Sequence, residues 1–272
     1  MPAIVYSAKD MAGYLIAEQL RRHHEFKMTS ADERRWLNEE YDVQMMEIRG
    51  PLLEAEDLRI ESDYLIFASR HKSAAAKLSL TVHATGNWGA KAEMGGRPGE
   101  VCYPQTSAMK HALRALAAQK FPDFEVSLEC THHGPTTILS PLYFIELGSS
   151  EEQWRNAEAA KVVADAIMLA VKGEREEPYE QVALGIGGGH YCPDFTKLEL
   201  ETEWAFGHIV PAYAIDAASE EVLMQAVEKS DPEIAVLDWK GLKAEQRQKA
   251  IAFAEKAGLE WKKDEELKNV KE

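Results

Sequence analysis

The stretch Cys130-Thr131-His132-His133-Gly134-Pro135-Thr136 sits between two β-rich runs. Val126, Leu128 and Cys130 alternate before it, and Leu142-Tyr143-Phe144-Ile145-Glu146-Leu147 follows. An apolar residue at every second position predicts a strand on each side, and the Gly-Pro pair predicts a tight turn where the first strand breaks. Two adjacent imidazoles at such a break are expected to project past the sheet edge into a cleft, where open α/β sheets bind ligands.

Outward from this point the chain reads as strands alternating with helices. Strands are expected over 3–6, 43–48, 64–68, 78–83, 182–186, 234–237 and 259–262. Helices are expected from a Ser7 cap to about Arg22, around Met109, Ala112, Leu113 and Leu116, over 219–229 and over 242–257. Ser150 and Gln153 form a capping-box pattern opening a long helix to about Lys172, with Trp154, Ala157, Ala164, Ile167 and Val171 facing inward. The charged segment 27–42 carries no clear period, and 93–104 is a long Gly-rich connection of the kind that is often functional. No repeat or linker-like composition divides the chain. The expected architecture is α/β: a single domain over 1–272 with a mixed, mostly parallel sheet flanked by helices.

With 272 residues, 45% of them hydrophobic, the chain can bury a sizeable core. It shows no membrane-spanning run and no signal-peptide pattern, and three cysteines without zinc-finger spacing fit free thiols in a reducing cytoplasm. The net charge of −15 argues against indiscriminate binding of polyanions. The charge is uneven, however. Residues 70–120 hold eight bases (Arg70, Lys72, Lys77, Lys91, Arg97, Lys110, Arg114, Lys120) against Glu93 and Glu100, a net +6 that leaves −21 for the remainder. Such a segment is either an ordinary solvated face or a local polyanion site.

Six of the nine histidines fall at strand breaks: His71, His83, His132, His133, His190 and His208. Singly, each reads as a structural imidazole. As a set they suit either zinc-activated water or general acid–base work on an ester. There is no H-E-x-x-H, so a zinc site has to be assembled from separate loops. Glu146, at the end of the strand after the His pair, could add a carboxylate to such a site, though an exposed strand-end acid is the more ordinary reading. Gly187-Gly188-Gly189 lacks both G-x-G-x-x-G and a Walker lysine, which favours close backbone packing over a phosphate loop. No G-x-S-x-G elbow supports a serine nucleophile. Cys130 and Cys192 stand beside histidines, which leaves a thiolate route open beside the more ordinary reading of buried thiols. Amides of Gly134 or Gly187–Gly189, and the Asn87 side chain, are candidate oxyanion donors.

Together these segments resemble the archaeal and plant type of D-aminoacyl-tRNA deacylase. The resemblance rests on Ser69-Arg70-His71, on Leu80-Thr81-Val82-His83 with Thr85-Gly86-Asn87, and on Thr131-His132-His133-Gly134-Pro135. It continues through Gly187-Gly188-Gly189-His190-Tyr191 with Pro193 to Gly207-His208-Ile209. It implies a fold similar to peptidyl-tRNA hydrolases and nucleoside phosphorylases. It also implies hydrolysis of the ester between a D-amino acid and the terminal ribose of tRNA, broad D-amino-acid scope, and dependence on zinc. On that basis His132, His133, His190 and His83 are expected to be catalytic, and zinc ligands are expected among His71, His132, His133, His190 and His208. Arg70, Lys77, Asn87, Lys91, Arg97, Gly187, Gly188 and Gly189 are expected to bind the tRNA substrate. A cytoplasmic monomer without a membrane partner is expected. A phosphorylase-like enzyme and a non-catalytic tRNA-binding protein are the rival readings.

Overall fold

A computed structural model describes residues 1–268 of the chain. The strands begin with β1 (Ala3–Ser7), β2 (Lys27–Ser30), β3 (Arg35–Asn38), β4 (Val43–Ile48), β5 (Leu65–Arg70) and β6 (Ser79–His83). There follow β7 (Gly86–Asn87), β8 (Glu100–Val101), β9 (Glu125–Leu128) and β10 (Leu142–Gly148). The last four are β11 (Val182–Ile186), β12 (Ala205–Val210), β13 (Ile234–Leu237) and β14 (Glu260–Lys263). The helices are α1 (Met11–His23), α2 (Thr106–Ala118), α3 (Glu151–Trp154), α4 (Ala157–Glu176), α5 (Pro193–Glu201), α6 (Glu220–Ser230), α7 (Ala244–Lys256) and α8 (Asp264–Leu267). Among the described residues no helix is long and apolar enough to cross a membrane.

The expected α/β architecture, with mixed, mostly parallel strands flanked by helices, is present, its strands divided between two sheets. Eight strands run in the order β2-β3-β4-β1-β5-β10-β6-β9, and four more in the order β12-β11-β13-β14, with β7 and β8 as a small pair. The large sheet is parallel from β4 through β1 and β5 to β10 and again from β6 to β9, and antiparallel at β2–β3–β4 and β10–β6. The small sheet is parallel throughout. The charged 27–42 segment forms the β2–β3 hairpin, whose exposed positions explain why it shows no apolar period.

The two sheets meet at the end of β9. The Cys130 amide donates to the His190 carbonyl at 2.8 Å and the Thr131 amide to the Ile209 carbonyl at 3.0 Å, so the strand leaves one sheet by bonding to the other. The main cluster of buried side chains draws on both, including Phe67, Phe144 and Leu80 from one and Ala183, Phe206 and Val236 from the other.

Register sorts the large sheet into two faces, because successive side chains alternate. Phe144 pairs with His83 and Phe67, and Glu146 with Thr81 and Ser69, so these residues share one face. The alternate residues Ile66, Ala68, Tyr143, Ile145, Leu80 and Val82 are buried and apolar or aromatic, and face the layer of α1, α2 and α4.

Two helix starts and one strand differ from expectation. Asp10 rather than Ser7 caps α1: its Oδ1 accepts the Gly13 amide at 2.9 Å and its Oδ2 the Arg70 amide at 3.1 Å, tying helix to strand, while the Ser7 hydroxyl donates to the Gly50 carbonyl at 2.8 Å. The expected 150–172 helix is broken before Asn156, whose Oδ1 accepts the Glu158 and Ala159 amides and opens α4, leaving Ala157 exposed. Residues 207–210, expected as a break, are the second half of β12.

Helix α1 lies so near β5 that a Cβ on Gly13 would stand 2.3 Å from the Ala68 carbonyl oxygen. Alanine ordinarily stabilises a helix interior over glycine by about 1 kcal/mol. Here Gly13→Ala is expected to destabilise by about 1–3 kcal/mol, since the obstructing atom is backbone. Urea unfolding measures this, and a stabilised variant would mean that the helix can ride outward freely.

Candidate active site

The polar face of the large sheet carries a cluster of buried ionisable groups. Glu129, one residue past β9, is buried and lies between imidazoles. Its Oε1 is 2.9 Å from His71 Nδ1, and its Oε2 is 2.7 Å from His190 Nε2 and 3.5 Å from His132 Nε2. Glu146 Oε2 lies 3.4 Å from His71 Nδ1 and 3.7 Å from His83 Nε2. The His83 and His133 rings rest against Phe144, with centroids at 5.6 and 4.9 Å. Neither Glu129 oxygen nor His83 Nε2 takes part in a directed hydrogen bond, despite the short approaches of the ring nitrogens. The contacts are those of converging charges and lone pairs rather than aimed donors.

Backbone carbonyls set the tautomers. His83 Nδ1 is 3.0 Å from the Ala84 carbonyl, His132 Nδ1 is 2.8 Å from that of Cys130, and His133 Nδ1 is 2.6 Å from that of Gly134. A carbonyl only accepts, so each Nδ1 carries a proton and each Nε2 is turned over to the cluster. His71 differs: its Nδ1 faces the carboxylates and its Nε2 lies 3.0 Å from the Tyr191 hydroxyl.

The electrostatics divide the imidazoles. Burial opposes a charge on His71, but contact with Glu129 and Glu146 outweighs it and pushes the group up to about 11. Burial opposes His190 too, and Cys130 and Glu129 push it up to about 10. His83 is raised against its burial by Glu146. Burial and the neighbouring His83 hold His132 well below its ordinary range and His133 down to about 4. Burial alone would raise both carboxyls, yet the surrounding imidazoles hold Glu129 and Glu146 low. The cluster therefore sets two imidazoles held in the protonated form, His71 and His190, and two held neutral, His132 and His133, around two carboxylates, with His83 raised beside Glu146.

The His pair does not project past a sheet edge. His133 is buried, in the left-handed region at φ 47°, a strained setting for a residue other than glycine. His132 and His190 are the accessible members, with side chains 20% and 35% exposed. The Gly-rich connection is strapped over the turn: Gly134 donates its amide to the Met94 carbonyl at 3.1 Å, and Arg97 its amide to Thr136 Oγ1 at 2.9 Å. A Cβ on Gly134 would lie 2.2 Å from the Gly96 nitrogen. From the other side the Glu56 carboxylate accepts the amides of Thr136 and Thr137.

Several expected site residues stand elsewhere. His208 is inside β12 and wholly buried, its Nδ1 3.1 Å from Thr131 Oγ1 and its Nε2 3.1 Å from the Cys102 carbonyl, so both ring nitrogens are engaged away from the cluster. Asn87 donates to the Gly95 carbonyl at 2.9 Å and supports the strap rather than an oxyanion. The Gly134 and Gly187 amides are likewise taken, whereas those of Gly188 and Gly189 have no acceptor among the described residues. Gly187 and Gly188 take positive φ, and the Asp238 carboxylate lies beside Gly188, an acid that disfavours phosphate in this loop. Arg70 lies over the Trp154 ring, at the rim beyond His71. Lys77, Lys91 and Arg97 are exposed in loose pairs with Glu125, Glu93 and Glu100 at 3.8, 3.4 and 3.9 Å. Lys110 is buried and donates to the Thr202 and Trp204 carbonyls, and Arg114 and Lys120 belong to the helical side, so the basic segment is split. Cys130 Sγ is 3.6 Å from His190 Nδ1 and Cys192 is buried at the start of α5.

Sequence reasoning missed Glu129 and misjudged Glu146, which is buried mid-sheet. The available signal was phase: Glu129 shares the period of Ser127, opposite Val126 and Leu128, but a polar face of that kind ordinarily faces water.

An α/β scaffold holding buried carboxylates against neutral and protonated imidazoles defines an enzyme built for proton transfer and charge stabilisation. The family model for D-aminoacyl-tRNA deacylase matches residues 58–262. A D-aminoacyl-tRNA deacylase of Methanocaldococcus jannaschii is 40% identical over 221 residues, 78% of this chain and 86% of that one. A D-aminoacyl-tRNA deacylase of Pyrococcus furiosus is 44% identical over 208 residues, 76% of this chain and 75% of that one. A crystal structure described as a conserved protein of unknown function superposes with a TM-score of 0.92 at 34% identity, covering 99% of this chain and 97% of that one. The chain belongs to the D-aminoacyl-tRNA deacylase family, a family of hydrolases.

Glu129→Gln removes the negative charge that His71 and His190 share. Both imidazoles are then expected to titrate nearer 6.5, His71 down from about 11, as followed by NMR of the ring protons. Since folding raises the His71 value, its pairing stabilises the chain below the ordinary imidazole range and is lost as pH climbs toward about 11. In the variant that alkaline loss is expected to move to lower pH. An unmoved His71 would assign its proton to Glu146 alone.

Proposed function

We propose that this chain hydrolyses the ester of D-aminoacyl-tRNA, with broad tolerance of the amino-acid side chain, releasing free D-amino acid and reusable tRNA. The observation that carries the reading is the contrast between His132 and His190, the two accessible imidazoles on either side of Glu129 Oε2. Neighbouring groups whose environments drive their protonation apart assign acid and base.

Neutral His132, its Nδ1 proton committed to the Cys130 carbonyl, offers Nε2 to take a proton from the attacking water. The water oxygen bonds to the ester carbonyl carbon and the developing negative charge faces His190 and the open amides of Gly188 and Gly189. The bond to the ribose oxygen then breaks, and that oxygen takes the proton held on His190 by Glu129. One water is consumed, and His132 and His190 exchange protons with solvent to reset. His83 and His133 hold the floor of the cluster.

We also propose zinc. His71, Glu129 and Glu146 offer ligand atoms within 4.8 Å of one another, a nitrogen and oxygen donor set that suits this ion, and the undirected oxygens of Glu129 fit a missing positive partner. His83 Nε2, 3.7 Å from Glu146, is a fourth donor. Held there, zinc would take the place of the His71 Nδ1 proton, since a ligating imidazole is neutral, and would supply Lewis-acid stabilisation of negative charge. The set leaves His132 and His190 facing the substrate.

His132→Ala is expected to lower deacylation by roughly 10²–10⁴-fold with folding intact, measured by release of labelled D-amino acid from tRNA. Near wild-type turnover would remove the imidazole from the chemistry. Chelation that strips zinc, followed by elemental analysis, is expected to lower turnover as well; full activity in metal-free protein would take zinc out of the account. The rim bases carry the tRNA. Exposed pairs such as Lys77–Glu125 are weak and exchange readily for phosphate. Changing Lys77, Lys91 and Arg97 together to Ala is expected to weaken tRNA binding and flatten the slope of log K against log salt by roughly 0.7–0.9 per lost contact. An unchanged slope would send the tRNA to another surface.

A further inference from the structure

The reaction as derived gives no role to Tyr213, an aromatic side chain beside the cluster. Tyr213 is 65% exposed, yet its hydroxyl lies 3.2 Å from the buried Cys130 Sγ, and that sulfur lies 3.6 Å from His190 Nδ1. The backbone beside it is also fixed: the Ala212 amide donates to the Gly188 carbonyl at 3.0 Å, and Gln246 donates its side-chain amide to the Ala212 carbonyl at 2.8 Å. A ring immobilised at both ends gives up rotamer freedom, and with its surface in water it recovers little by burial. The result is a flat apolar surface, set in advance, next to the most exposed imidazole of the site.

We propose that the Tyr213 ring is the platform on which the unpaired terminal base of the tRNA substrate stacks while its aminoacyl ester lies at His132 and His190. The inference rests on the D-aminoacyl-tRNA reading. The order of groups along the substrate favours the base over the amino-acid side chain as the occupant. Outward from an ester carbonyl held at the imidazoles come the ribose and then the base, whose π-face is large enough to cover a phenol ring. Stacking of this kind is indifferent to the rest of the sequence and to the amino acid carried, which a broadly tolerant deacylase needs.

The test compares two substrates of the same D-amino acid, its tRNA ester and its methyl ester, by the ratio of their kcat/KM values. Tyr213→Ala is expected to lower the tRNA-to-methyl-ester ratio roughly 5- to 150-fold, mainly through KM, and Tyr213→Phe to keep it within about twofold of wild type. Uncharged tRNA carrying 2-aminopurine as its last base gives a readout independent of turnover. Its fluorescence is expected to be quenched by the wild-type chain and by Tyr213→Phe but not by Tyr213→Ala. An alanine variant that keeps both ratio and quenching overturns the inference. So does one that loses both substrates equally, which would place the amino-acid side chain on the ring, or a phenylalanine variant as impaired as alanine, which would assign the effect to the hydroxyl on Cys130. A wild-type chain that leaves D-aminoacyl-tRNA intact overturns the reaction itself, whereas a working wild type with an unaltered alanine variant overturns the stacking alone.

Discussion

Everything in the site depends on the buried carboxylate of Glu129. A charge without water is tolerated only where opposite charge meets it, and the groups that meet this one come from different parts of the fold. The charged His71 follows β5 and the charged His190 hangs from the loop after β11 in the other sheet, while neutral His132 approaches from the turn after β9. The pairing can be complete only when both sheets are in place. The backbone bond from Cys130 to His190 fixes the same junction one residue away.

Around that knot the structure is stiff where the chemistry needs a fixed position and open where a substrate has to enter. Glu56 and the 93–97 strap grip the turn from both sides and hold His133 in a backbone setting it would not choose alone. The floor is Phe144, stacked on Phe67 at 4.7 Å. Of the cluster's imidazoles, His132 and His190 are the ones whose rims reach solvent, beside Cys130 and the Tyr213 ring above it.

What a sequence can carry most directly is local periodicity, and there it served well. The bounds of β4, β11 and β13 follow from short apolar runs, and the Gly-Pro turn and the Gly-Gly-Gly loop mark the places where the chain turns toward the site. Competing local signals caused the misses at helix starts. Ser7 and Asp10 both have capping side chains, and only the approach of Arg70 decides that Asp10 takes the amide. Likewise Ser150 and Asn156 both stand at helix N-termini, and only the Asn156 side chain accepts helix amides, which divides what one apolar stripe had suggested was a single helix.

Residue types and order by themselves determined that this chain is α/β, that histidines gather at the ends and turns of its strands, and to which family its motifs point. Tertiary structure decided which of those histidines meet. His208 follows Gly207 and looks from the sequence like another strand break, but β12 runs through it and turns both ring nitrogens to Thr131 and Cys102. Glu129 lies on the phase of Ser127, which its strand alone would show to water, while Glu146 shares its phase with Leu142 and Phe144; His190, on a loop of the second sheet 60 positions after Cys130, reaches Glu129 and makes it part of the site. Period two tells which side chains share a face, while what covers the face is settled by contacts that no local window contains.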